Sequence, residues 1–228
     1  MKIVVTGASG GIGRAVCLKY LALGHTVVGI DRLASDVEDE KYTHFIADVK
    51  DPLALPEIEG VGVLVNNAGE QNGDDDIGNN LVGAINVTEK YIGSPELRSV
   101  LFNASASAVT GREFPLYAAS KAGLVGYMKN VAVRLAPRGV TCNAISLGGV
   151  LTPLNDPVVN DPALWQKIMD VTPLGKWMST DEAAEWIVFL TLTNRSMSGQ
   201  NILIDNGERD LQDTFVWPGD EQKTLRNS

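Results

Sequence analysis

The residues that most limit how this chain can fold stand at its start. Lys2 to Val5 is a short apolar run suited to a strand buried on both faces. It passes directly into Thr6-Gly7-Ala8-Ser9-Gly10-Gly11-Ile12-Gly13, after which Arg14 to Leu23 carries helical periodicity. Glycines allow a tight turn with positive φ and a close approach of backbone to ligand, and the N-terminus of the following helix offers unpaired N–H groups to a pyrophosphate. A glycine-rich turn with no ligand is the competing reading. The placement between an N-terminal strand and a helix favours a nucleotide held by Gly7, Ser9, Gly10, Gly11, Ile12 and Gly13.

The same alternation continues along the chain. Gly24 ends the first helix, and His25 to Ile30 reads as a second strand finishing at Asp31. A carboxylate there accepts hydrogen bonds from the adenosine ribose hydroxyls and repels a 2′-phosphate, so Asp31 favours NAD over NADP. Arg32 beside it has two open roles, offsetting part of that repulsion or stacking on adenine. Tyr42 to Ala47 is a third strand ending at Asp48-Val49, which the pattern places at the adenine pocket. Val61 to Val65 runs into Asn66-Asn67-Ala68-Gly69, small residues that leave room for a cofactor. Asp74 to Asp76 can stabilise the N-terminus of a helix over 77–92. Ser99 to Ala104 is a fifth strand followed by Ser105, and Val140 to Ile145 a sixth, broken by Gly148-Gly149. A segment with Trp165 and Trp177, about 153–178, reads as a lid. Asp181 caps a helix running to about Leu192, and Gln200 to Ile204 is the last strand. A tail over 208–228 carries Phe215 and Trp217. Strands alternating with helices predict one α/β domain over 1–228, a Rossmann-like doubly wound parallel sheet with helices on both faces and ligands at the carboxyl ends of its strands.

Charge narrows the partners. A net charge of -9 opposes binding to nucleic acid or an anionic membrane and leaves a small molecule as the expected ligand. Cys17 and Cys142 fall in a helix and a strand without metal-ligand spacing, and His25 and His44 stand beside strands, so buried thiols, structural histidines and no metal are expected. No signal sequence is visible and no apolar run reaches the ~18 residues of a membrane span, which leads to an expected cytoplasmic location.

Tyr117-Ala-Ala-Ser-Lys121 puts a phenol and an ammonium on one helix face. A free phenol titrates near ~10, so Tyr117 needs a neighbouring positive charge, such as an ammonium or an oxidised nicotinamide, to act as a base near neutral pH, and Lys121 can supply it. Taken alone, the pair reads as an ordinary helix surface. Together with TGASGGIG at 6–13, NNAG at 66–69, a serine before the tyrosine and NAISLGGVLT at 143–152, it resembles the short-chain dehydrogenase/reductase family over nearly the whole chain.

That resemblance implies a strand order of 3-2-1-4-5-6-7 and reversible hydride transfer between a nicotinamide and a carbonyl or alcohol carbon. It assigns Tyr117 as acid/base, Lys121 as the group that lowers its pKa and binds the nicotinamide ribose, and Ser105 as donor to the substrate oxygen. Asn80 matches the residue that holds a water for proton relay, Asn67 a cofactor contact, and Val150 and Thr152 the carboxamide contacts. Ser107 rivals Ser105, and the usual spacing falls on Ala104; Ser105 is preferred because Gly111 then takes the place of the family's glycine. A homodimer or homotetramer is implied, through the helices over 77–92 and 115–136. Three departures stand out. Leu147 replaces a usual proline and is expected to loosen the turn carrying Val150 and Thr152. The connection from Gly69 to Asn80 is short, and the tail extends past the last strand. The stretch from about Leu211 to Pro218 is expected either to fold over the opened entrance or to pack on an outer face. The expected function is NAD-dependent oxidation or reduction of a secondary alcohol or ketone, with cyclic and steroid-like compounds among the candidate substrates and Phe114, Leu116, Leu154, Trp165 and Met169 as candidate pocket walls. The alternative is a non-catalytic NAD sensor on the same fold.

Overall fold

The apolar runs pair as seven parallel strands of one sheet. They are β1 (Lys2–Thr6), β2 (Thr26–Asp31), β3 (Tyr42–Ile46), β4 (Val61–Asn66), β5 (Ser99–Asn103), β6 (Thr141–Leu147) and β7 (Asn201–Ile204), in the order β3-β2-β1-β4-β5-β6-β7. The computed structural model describes residues 1–211. β1 pairs with β2 on one side and β4 on the other, with Val4 opposite both Val28 and Leu64. The order therefore reverses beside β1, which is where a parallel sheet opens a crevice at its carboxyl end.

Successive side chains of each strand enter opposite layers, and both layers are apolar. Ile3, Val5, Val63, Val65 and Ile145 pack with Val16, Cys17 and Tyr20 of α1 (Gly11–Ala22) and with Ala183, Ala184 and Ile187 further along the chain. On the other face Val4, Leu64, Phe102, Cys142 and Ala144 meet Val87 and Tyr91 of α2 (Gly83–Tyr91), with Leu124, Met128 and Val131 from a long later helix. Burying a side chain of this size contributes about 2 kcal/mol, and two such layers explain why the strands lack polar alternation. Cys17 and Cys142 are both fully buried, one in each layer.

After β5 come a single turn, α3 (Ser107–Thr110), and the long helix α4 (Pro115–Leu135), which Pro115 starts in the position where its missing N–H costs nothing. Between β6 and β7 lie α5 (Asp156–Val159), α6 (Pro162–Asp170) and α7 (Thr180–Val188).

Several local expectations are corrected. The helix expected over 77–92 begins as a wide π turn, Ile77–Val82, before α2. Ser179 rather than Asp181 caps α7: its hydroxyl accepts from Glu182 N–H while Glu182 accepts from Ser179 N–H, a reciprocal arrangement that satisfies two orphan donors. Leu147 does not loosen its turn, because it extends β6, pairs with Ile204 and has its carbonyl bonded by Ala106 N–H. Phe215, Trp217 and nearly all of the tail lie outside the described residues, and so does its expected packing; Leu211 itself closes a turn onto Gly207.

Candidate active site

The glycine turn is shaped by close approach. At Gly7, with φ of 67°, a Cβ would fall 2.8 Å from Ala68 Cα, and at Gly13 it would fall 1.9 Å from the Gly7 carbonyl. Neither position admits a side chain, so Gly13 serves by letting α1 pack on the turn. Thr6 binds this turn to the end of β4, its hydroxyl oxygen accepting from the N–H groups of Asn67 and Ala68 at 3.0 Å each. Asn67 donates to the carbonyls of Thr6 and Gly7 and accepts from Asn103 Nδ2 at 2.8 Å, which ties the ends of β1, β4 and β5 together. Gly10 precedes α1 without a side-chain cap, leaving the helix N–H groups to an anion.

Asp31 ends β2 with its carboxylate fixed by Ser9 N–H and Leu33 N–H, both at 3.0 Å. His44 adds a brace, hydrogen-bonded to the Leu33 carbonyl at 2.8 Å and to the Tyr42 hydroxyl at 2.9 Å. Its structural role thus supports the loop after Asp31. Arg32 points toward Glu70, with 3.7 Å between charged atoms. A cavity of about 90 Å³ here is lined by Asp31, Arg32, Val49, Ala68 and Asn79 among others. Val49 lines this cavity, whereas Asp48 beside it accepts from Lys50 N–H at 2.9 Å and is not part of the lining.

A cleft of about 790 Å³ continues from this end. It takes in Gly7, Ser9, Gly10, Gly11, Ile12, Asn67 and Gly69, then Ser105, Tyr117 and Lys121, then Val150 and Thr152. Residues 153–178 contribute Pro153, Leu154, Asn155, Val158, Ile168 and Trp177. Trp165 instead packs edge-on against Trp177, with ring centres 5.2 Å apart. Phe114 and Leu154 line the cleft; Leu116, Trp165 and Met169 do not.

Tyr117 lies in the first turn of α4 and Lys121 one turn later, its Nζ 5.7 Å from the phenol ring centre. Lys121 is buried, its ammonium donates to the Asn103 carbonyl at 2.9 Å, and burial pushes its pKa down to about 8 against the opposing pull of Asp76. Burial raises the Tyr117 phenol, a hydrogen bond with Ser105 lowers it, and Glu113 and Asp76 raise it. In the protein alone the phenol is thus held above its ordinary value, which leaves the lowering to a positive charge beside it, from the Lys121 ammonium or an oxidised nicotinamide.

Ser105 and Ser107 are distinguished by their partners. Ser107 donates to Glu113 Oε2 at 2.6 Å and lies within 3.0 Å of Ser105 Oγ, whereas Ser105 lines the cleft and meets Tyr117. Asn80 is buried and lines neither cavity. Its amide clamps Glu70, accepting from Glu70 N–H at 2.8 Å and donating to Glu70 O at 2.9 Å, and it also donates to Ser120 Oγ. The clamp folds the short 69–80 connection back on itself, with Glu70 accepting in turn from Asn79 and Asp75 N–H. A Cβ at Gly69 would lie 2.8 Å from Asn80 Oδ1 and 3.3 Å from Lys121 Nζ, so the three residues converge.

Four contributors escape a reading of the sequence. Asn103 has a strand-end position as its signal; Thr6 could have been found as the hydroxyl preceding the glycine turn. Glu113 and Glu208 carry no motif.

A family model described as enoyl-(acyl carrier protein) reductase matches residues 7–208. The chain belongs to the short-chain dehydrogenase/reductase family. It is 30% identical to the 3-oxoacyl-[acyl-carrier-protein] reductase FabG of Thermotoga maritima, over 90% of this chain and 96% of that protein. The Staphylococcus epidermidis FabG is 29% identical, over 90% and 97%. Among solved structures, a putative 2-deoxy-D-gluconate 3-dehydrogenase from Agrobacterium tumefaciens with bound NADP superposes with a TM-score of 0.81 at 27% identity, covering 91% and 95%. The ligand-free aldohexose dehydrogenase of Thermoplasma acidophilum gives 0.82 at 25% identity, covering 95% and 96%. As a member of the short-chain dehydrogenases/reductases, the chain is an oxidoreductase, and no helix among its described residues is long and apolar enough to cross a membrane.

Proposed function

We propose that this short-chain dehydrogenase/reductase transfers a hydride between NAD(H) and a secondary alcohol or ketone. The observation that carries the reading is the convergence of Ser105, Tyr117 and Lys121 on one cleft that also contains the glycine turn and Asp31. The uncapped start of α1 suits the pyrophosphate, and the braced Asp31 carboxylate suits ribose hydroxyls while repelling a 2′-phosphate. The names of FabG and of the Agrobacterium enzyme give different substrates, and the latter structure carries NADP, so the choice of NAD rests on Asp31. Arg32, turned toward Glu70, is less available to a 2′-phosphate than its sequence position suggests.

When bound, the oxidised nicotinamide supplies the hydride acceptor and a positive charge. Ser105 Oγ, beside Tyr117, positions the substrate oxygen. Tyr117 takes the proton from an alcohol or returns it to a forming alkoxide. Lys121 keeps an ammonium near the ring, anchored on the Asn103 carbonyl, and favours the phenolate at that moment. Asn80 sets the wall behind Lys121 through its clamp on Glu70. A non-catalytic sensor has no need of this arrangement. The test is a rate assay over secondary alcohols and ketones with each cofactor, followed by absorbance of the reduced nicotinamide, for wild type and Tyr117→Phe. Turnover should fall at least ~100-fold in the variant with NADH binding retained. Near-normal turnover would refute the assignment.

A further inference from the structure

The part of the cleft nearest the catalytic serine is acidic. Of the carboxylates lining the cleft, Asp31 is fixed by backbone N–H groups and Glu70 is engaged by Asn79 and faces Arg32. The two others, Glu113 and Glu208, face no cation in an ion pair among the described residues. Glu113 stands at the exposed rim, linked through Ser107 to Ser105, which places it at the substrate end. Its φ of 74° is a conformation that residues other than glycine seldom hold without a compensating contact, here the Ser107 hydrogen bond. Glu208, half-buried after β7, lines the same cleft.

Cations do not balance these groups. The basic residues lining the cleft are Arg32, facing Glu70, and Lys121, bonded to Asn103, and no ion pair among the described residues reaches Glu113 or Glu208. Arg112 is exposed and outside the lining. Burial, Asp205 and Glu113 together raise the Glu208 carboxyl while Arg112 opposes them, so the two glutamates are close enough to repel. A separate feature also calls for a donor. Asn103, 8% exposed and part of the same lining, has an Oδ1 with no partner among the described residues. The remaining walls, Phe114, Leu154, Val158, Ile168 and Trp177, are apolar and include two aromatic rings, surfaces that accept the body of an amine and attract its charge. The net charge of -9 also favours the approach of a cation and disfavours an anionic one.

We infer that the substrate end takes an ammonium-bearing hydroxy or keto compound, with Glu113 and Glu208 receiving the cation while Ser105 and Tyr117 address the oxygen. The inference deepens the alcohol/ketone reading above and rests on it for the position of the reacting oxygen. No covalent step is added.

Three probes separate the possibilities: phenylpropanolamine, the same alcohol with methyl in place of the ammonium, and the matching aryl hydroxy acid. Their affinities for the cofactor-loaded protein are measured by calorimetry, in NADH and in NADPH. A charged hydrogen bond of this kind should make the amine bind at least ~10-fold more tightly than its methyl counterpart, with the acid weakest. Glu208→Gln should cut the ratio of amine to methyl affinity, and Glu208→Lys should invert it, while circular dichroism and cofactor affinity certify that each variant folds. An amine that binds no better than its methyl counterpart, a tighter acid, or a ratio unchanged in both variants overturns the inference. Binding is read without turnover, so this result is separate from the Tyr117→Phe result that tests the reaction itself.

Discussion

Lys121 should be costly to the fold in proportion to its use in the site, and Lys121→Met exposes that cost. The fall from its ordinary value of 10.5 to about 8 corresponds to about 3 kcal/mol, at ~1.4 kcal/mol per pH unit, spent on burying an ammonium. Methionine fills similar space without charge but leaves the Asn103 carbonyl without its 2.9 Å donor, a loss of about 1 kcal/mol. The variant should therefore be more stable than wild type by about 2 kcal/mol at pH 7, although turnover falls at least ~100-fold. The pH dependence supplies a second check. Below pH 8 the lysine is charged in both folded and unfolded chains and the full penalty applies. As pH rises past about 8 the folded amine loses its proton first, the unfolded one following only near 10.5, so wild type gains stability relative to the variant through that window. Urea unfolding of both proteins at pH 7 and 9 should show the variant's advantage shrinking by about 1 kcal/mol. A variant less stable than wild type, or an advantage independent of pH, would refute the reasoning.

Other outcomes follow from individual contacts. Wild type should use NAD more efficiently than NADP by over ~10-fold, and Asp31→Ala should narrow that preference in steady-state assays; a wild-type preference for NADP would show that Arg32 outweighs Asp31. Thr6→Val leaves two part-buried N–H groups, of Asn67 and Ala68, without their acceptor and should cost about 1–2 kcal/mol in urea unfolding while weakening nucleotide binding; unchanged stability would remove the hydroxyl's role. Glu89 accepts two hydrogen bonds from Arg134 and one from Tyr127, and chiefly the Arg134 bonds push its carboxyl down to about 2 from 4.5. Its contribution is present above pH 4.5 and lost as pH falls toward 2, but both side chains are more than two-fifths exposed, so Glu89→Gln should cost under ~1 kcal/mol at pH 7. A larger loss by thermal melting would contradict that discount.

The strands were legible because a sheet covered on both faces demands continuous apolar runs, and Val61 to Val65 has no other use. Glycine positions were legible for a similar reason, since Gly7 and Gly13 leave no space for a Cβ. The strand order came from the family resemblance rather than from periodicity. What escaped depends on residues that the fold brings together from afar. Glu113 and Glu208 come from the loop before α4 and the turn after β7, and neither has a local pattern that predicts the other. The π turn at Ile77–Val82 was missed because an apolar helical period does not register one extra residue per turn. The bond from Lys50 N–H to Asp48 was not legible, because an acidic residue at a strand end looks alike whether it faces a ligand or bonds the next backbone N–H.

The two cysteines give the sheet a built-in clock. Cys17 lies in the layer of α1 and α7, and Cys142 in the layer of α2 and α4. Burial raises both thiols, Cys17 to about 12, so neither presents a thiolate at neutral pH. A thiol reagent can react only when one layer parts from the strands. Mass spectrometry of the labelled peptides would therefore time the opening of each face separately, one residue per side. Cofactor added beforehand would lengthen the waiting time most on the face whose helices it ties to the strand ends.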